Sequence, residues 1–142
     1  MNAQVNGSAS MDLSALDTAA MSNVGIDVRI YNPKTQAETG IVIHILGQDS
    51  DAFKGVQRLQ QARSLNAALK TGPRREERMV DVSEDNVPEL LAASTVSWSG
   101  MKKDGADFPC NKANALFVYT NYPIIRDQVL EAQRDRANFL KG

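Results

Sequence analysis

The chain has 142 residues, enough for one domain around one core and short for two. Its 42% hydrophobic and 23% charged residues are ordinary for a globular protein, and a net charge of −1 supplies no bulk attraction to nucleic acid. The one cysteine, Cys110, has no partner for an internal disulfide, and the chain shows neither a signal segment nor a run of about 18 apolar residues, so a reducing cytoplasm without membrane spanning is expected.

Residues 1–22 read as a mobile N-terminal arm. The first ten hold Asn, Gln, Gly and Ser with little to bury, and Met11, Leu13, Leu16, Ala19 and Ala20 allow a short helix that needs a surface to dock on. Residues 23–142 read as a single α+β domain. Ile26, Val28 and Ile30 alternate with Asp27, Arg29 and Tyr31, as a half-buried strand does, and after Asn32-Pro33 the run Ile41–Leu46 is strongly β-forming. An antiparallel hairpin of the two is the natural pairing, and two strands alone are unstable in water, so their apolar faces need helices or another chain. His44 is the lone histidine, without the Cys, His or carboxylate companions that catalysis or metal binding needs, and it reads as structural or solvent-facing.

Asp49 or Ser50 caps a long helix that ends near Lys70, before Thr71-Gly72-Pro73. The stretch 54–78 is basic, with Arg58, Arg63, Arg74 and Arg75 among seven bases against Glu76 and Glu77. Such a surface reads either as a solvated face balanced by neighbouring acids or as one that steers association with an acidic partner, and without interleaved aromatics nucleic acid is not the expected one. A flexible linker is placed near 71–82 by its polar, Gly-Pro-punctuated composition. Asp85 or Asn86 then caps a helix with Pro88 in its first turn, whose apolar side is carried by Leu90, Leu91 and Val96 as far as Trp98.

The stretch Trp98–Phe139 organises the rest. Asp104-Gly105 supplies the positive backbone angle of a tight turn, Phe108-Pro109-Cys110 is extended, and Asn111 caps a helix opening at Lys112 with Ala115, Leu116 and Tyr119 along one side. Tyr122-Pro123 stops that helix and starts another, in which Ile125, Val129, Ala132, Arg136 and Phe139 share a face. The fold expected is therefore α+β and mainly helical: an N-terminal β-hairpin, a long helix and about three shorter helices.

Trp98-Ser99-Gly100, the Asp104-Gly105 turn, Phe108-Pro109, the Asn-opened helix, Tyr122-Pro123-Ile124 and the closing Asn138-Phe139 resemble the C-terminal half of phage tail assembly chaperones of long-tailed phages. The run Leu46–Phe53 is similar to the strand-to-helix junction of that family, so the resemblance spans roughly residues 40–140. It implies a non-enzymatic helper in the host cytoplasm that binds the tape-measure protein, keeps it soluble and recruits tail-tube protein, with self-association a further possibility. No catalytic residue, metal or cofactor is expected. The partner-binding residues expected are Arg58, Arg63, Arg74, Arg75, Trp98, Tyr119, Tyr122 and Phe139, although Trp98 and Phe139 also suit a core. A virion structural tail or connector protein is the alternative, and a small nucleic-acid-binding regulator a weaker one.

Overall fold

A computed structural model describes residues 10–70 and 86–140. The first nine residues, the expected linker near 71–82 and, with it, Arg74 and Arg75 lie outside the described residues.

A single 3₁₀ turn, Leu13–Leu16, is capped by the Asp12 carboxylate on the Ser14 N–H, and a short helix α1, Ala19–Val24, follows. The hairpin is present: β1, Ile26–Tyr31, pairs antiparallel with β2, Glu38–Ile45, with Ile26 opposite Ile45 and Val28 opposite Ile43. Strand β2 begins at Glu38 rather than Ile41, extending the pairing into the polar connection.

The hairpin is, however, only two-thirds of a sheet. Thr95–Ser99 forms a third strand, β3, antiparallel to β2 and leaving β2 in the centre. The sequence reading carried the preceding helix through Val96 to Trp98, but α3 covers 86–94 only. At its end Ser94 Oγ donates to the Leu90 carbonyl at 2.8 Å and Thr95 Oγ1 to that of Leu91 at 2.7 Å, so both hydroxyls bond back onto the last turns. From Thr95 on, Thr-Val-Ser-Trp-Ser sets β-branched and aromatic residues among serines, and Trp98 falls opposite Ile43 in the ladder while Val96 is exposed.

One face of the sheet is apolar. Ile43 and Ile45 are fully buried, Val28 and Ile30 nearly so, and against them pack Leu91 and Ala92 of α3, Ala115, Val118 and Tyr119 of α4 (Lys112–Asn121) and Val129 of α5 (Pro123–Arg134). Helices on one face of an antiparallel sheet define the α+β class. Asn111 caps α4, its side chain accepting from the Asn114 N–H at 2.8 Å, and Pro123 opens α5. On α4 the buried side is Ala115, Val118 and Tyr119; Leu116, expected there, is rotated about 100° away and exposed. The stripe expected to run unbroken to Phe139 stops at Arg134, where the Asp135 carboxylate instead caps a 3₁₀ turn, Arg136–Phe139, through the Ala137 N–H.

Helix α2, Asp51–Lys70, lies beside α3, held by Gln60 Nε2, which donates to the Asn86 carbonyl at 2.9 Å and to Glu89 at 3.0 Å. The edge of β1 meets α5, where the Gln128 amide accepts from the Tyr31 N–H at 2.9 Å and donates to its carbonyl at 2.8 Å. No helix among the described residues is long and apolar enough to cross a membrane.

Candidate partner-binding groove

A second, two-stranded hairpin juts from the sheet: β4, Lys102–Lys103, pairs with β5, Ala106–Asp107. Asp104 and Gly105 turn it with φ of 53° and 83°, the angles that made Asp-Gly a turn signal. Gly100 fixes where it leaves the sheet. With φ of 74°, it passes so close to Gly40 that a Cβ would strike the Gly40 carbonyl.

Opposite this hairpin stands the α4–α5 corner. Because Pro123 forces a new helix immediately after Asn121 and Tyr122, the ring of Tyr122 stays at the corner beside Phe117, one turn back on α4. Between hairpin and corner is a groove of about 420 Å³. Ile41, Met101, Phe108, Val118 and Ile125 line its apolar part, with Phe117 and Tyr122 on one rim and Lys102, Lys103 and Asp104 on the other.

The rings form a continuous series. Trp98 stacks on Phe108 at 6.1 Å with 8° between planes, Phe108 meets Phe117 edge-on at 6.0 Å, and Phe117 meets Tyr122 edge-on at 5.9 Å. Lys103 Nζ lies 5.5 Å from the centroid of Phe117 and 3.5 Å from Asp104 Oδ2. The series grades from wet to dry: Tyr122 is 45% and Phe117 37% exposed, whereas Trp98 is half-buried and spends its indole N–H on the Phe108 carbonyl at 2.6 Å. Trp98 thus braces Phe108 from behind, and the outer two rings face a visitor.

The residues expected to bind a partner do not converge. Tyr122 is on the groove and Trp98 is one ring behind it. Tyr119 and Phe139 are at 0% and 1% exposure, so they are core side chains and present no surface. The Tyr119 hydroxyl meets Thr95 Oγ1 at 2.7 Å, and since the Thr95 proton is spent on the Leu91 carbonyl, the phenol is the donor. Burial pushes that phenol well above its ordinary range, keeping it protonated. Arg58 is exposed on α2, away from the groove, and Arg63 is joined to Glu89 of α3. Sequence reasoning gave no binding role to Phe117, Met101 or Lys103 and placed Ile125 only on the apolar face of its helix. Phe117 carried a signal: with Tyr122 it flanks the helix corner that Pro123 dictates.

Elsewhere the chemistry is structural. His44 bridges the Asp27 carboxylate and the Val24 carbonyl, each at 2.8 Å. Cys110 is half-buried, and burial raises its thiol pKa, which favours the unreactive protonated form. Protein-family models, curated proteins and solved structures yield no match to this chain.

Proposed function

We propose that the protein is a tail assembly chaperone of a long-tailed phage: a non-enzymatic helper in the host cytoplasm that binds the tape-measure protein and brings tail-tube subunits to it. The observation that carries this reading is the aromatic groove, whose walls, Ile41 of β2 apart, come from the same stretch, Trp98–Phe139, in which the sequence resembles that family. A chaperone has to hold its client and then release it. A 420 Å³ groove admits two or three large side chains. Burying each contributes about 1.5–3 kcal/mol, and the ordering of both partners offsets part of that sum, so capture is reversible. With Lys103 beside Asp104 on the same rim, Lys102 leaves it a net positive charge that favours a client helix with an acidic residue next to its apolar anchors.

Co-expression with the tape-measure protein, followed by pull-down, tests the proposal, together with a search for this chain in purified virions. Stable co-purification with absence from virions is the expected outcome. Presence in virions at fixed copy number, without binding to the tape measure, would replace the proposal with a structural tail or connector protein.

A further inference from the structure

Helix α2 has two unlike sides. Phe53 and Gln60 face inward, and Gln60 and Arg63 reach Glu89 of α3. At about 100° per residue, the side opposite Gln60 carries Gly55, Arg58, Ala62, Leu65 and Leu69, with Leu59 on its shoulder. Those five positions are spaced three, four, three and four apart, the interval that keeps a line of side chains facing a neighbouring helix. Leu59 is 64% exposed, Leu65 60% and Leu69 75%.

Gly55 adds a separate observation. A glycine inside a helix costs roughly 0.5–1 kcal/mol against alanine, and here nothing within 4 Å would meet a Cβ, so no described neighbour requires it. Close approach of a second helix backbone gives it a purpose.

Charge decides what that helix is. With Arg63 spent on Glu89, Lys54, Arg58 and Lys70 stand on α2 against Asp51 alone, which shares the outward side but lies in the first turn, where the helix dipole favours an acid. Arg58 sits within the line itself. A second copy of α2 is a poor match: parallel, Arg58 faces Arg58, and antiparallel about Ala62, Lys54 comes level with Lys70. We infer that the outward side of α2 is a docking surface for an amphipathic helix of a partner protein with acidic residues flanking its apolar line. The surface is separate from the aromatic groove and does not depend on what fills it.

The test uses the full chain and a labelled three-heptad peptide with leucines at its core positions and glutamates beside them, against a twin with lysines in place of the glutamates. Fluorescence anisotropy should give micromolar binding of the glutamate peptide that weakens with salt, and binding of the lysine twin at least about tenfold weaker. Leu65→Glu with Leu69→Glu should abolish binding without altering circular dichroism, since both leucines are exposed. Arg58→Glu should shift preference toward the lysine twin, and in a Phe117→Ala background, which weakens the groove as a competing site, Leu65→Glu with Leu69→Glu should cause the same loss. Equal binding of both peptides, no binding of either, or disappearance of the Leu65→Glu with Leu69→Glu effect in the Phe117→Ala background would overturn the inference. So would a concentration-dependent dimer that Leu65→Glu with Leu69→Glu dissolves, because the occupant would then be a second copy. A further arm places Leu69→Cys in a Cys110→Ser background. Rapid alkylation of that thiol in the free monomer is expected, whereas protection would show that the chain covers α2 itself and would overturn the inference.

Discussion

Asp49 and Arg136, 87 residues apart in sequence, are joined by two hydrogen bonds: Nε to Oδ2 at 2.8 Å and a guanidinium nitrogen to Oδ1 at 3.1 Å. Thr18 completes the joint by donating its hydroxyl to Oδ2 at 2.6 Å, so the N-terminal segment, the β2–α2 connection and the last 3₁₀ turn meet at one carboxylate. Arg136 first and Thr18 second hold the Asp49 carboxyl at about 2, against an ordinary 3.8. A lowered carboxyl pKa stabilises the fold fully above its unfolded value and loses that contribution as pH falls through the folded one. The joint should therefore weaken as pH drops from about 4 to about 2. Asp49→Asn should cost about 1 kcal/mol at neutral pH, less than the shift alone implies because solvent screens Arg136. Urea denaturation across that acid range, wild type against variant, checks it: the two curves should converge at the acid end.

His44 should give the opposite pH dependence. A carbonyl only accepts, so Nε2 must carry the proton shared with Val24, and the Asp27 carboxylate takes another from Nδ1. Both bonds are made together only by the imidazolium, and the Asp27 bond is the larger cause of a pKa raised above 6.5. Among neighbouring charges on that face, Arg29 is engaged with Glu38 at 3.9 Å, and α1 contributes no titratable side chain. A raised histidine pKa contributes stability fully below the unfolded value and loses it as pH rises through the folded value. The tie between β2 and the end of α1 should therefore loosen above pH 6.5. Amide exchange over 19–24, corrected for intrinsic rate, should speed up on that side of the titration in the wild type and be pH-independent in His44→Ala.

Gly47 marks a crossing with no room for a methyl group. Its N–H donates to the Ser22 carbonyl at 3.0 Å, and a Cβ would land on the Ser22 side chain and 3.0 Å from Phe139 Cδ1. Gly47→Ala should destabilise by about 1–3 kcal/mol, as overpacking does. Limited proteolysis should cut first within α1, because displacing Ser22 is the easiest relief.

Gly55→Ala should do the reverse. The site is helical and open, so alanine should add about 0.5–1 kcal/mol of stability, measurable as a raised thermal midpoint.

Phe117→Ala separates holding the fold from the proposed holding of a client. The ring is 37% exposed, and the core beneath α4 rests on Ala115, Val118 and Tyr119. Stability should fall by less than about 1 kcal/mol, while co-purification with the tape-measure protein should drop at least about tenfold. Equal losses in the two measurements would mean that Phe117 serves only the fold.

Much of this architecture is legible residue by residue because its causes are local. Alternation wrote β1, the Asn111 side chain wrote the start of α4, and Pro123 wrote the start of α5. Strand β3 was hidden for a physical reason. Leu90 and Leu91 carried the helical reading on to Val96, although Val96 lies five and six residues further, about 140° and 240° around a helix, and does not continue their face. Thr95–Ser99 suits a strand, and the choice is made by pairing with β2, fifty or more residues earlier. The groove was harder to foresee, since Ile41, Met101–Asp104 and Phe117–Ile125 become neighbours only once that third strand is in place. Tyr119 and Phe139 were drawn toward a surface role by their size, yet a large ring at the right helical phase is first of all core.

The Gln128 amide on Tyr31 closes the account of β1. One side chain supplies both the donor and the acceptor that an incoming strand would offer at that residue. Endless edge-to-edge growth needs two open edges on every molecule, and a newcomer alongside β1 has first to evict Gln128. The β1 edge thus carries its own stopper against fibre formation.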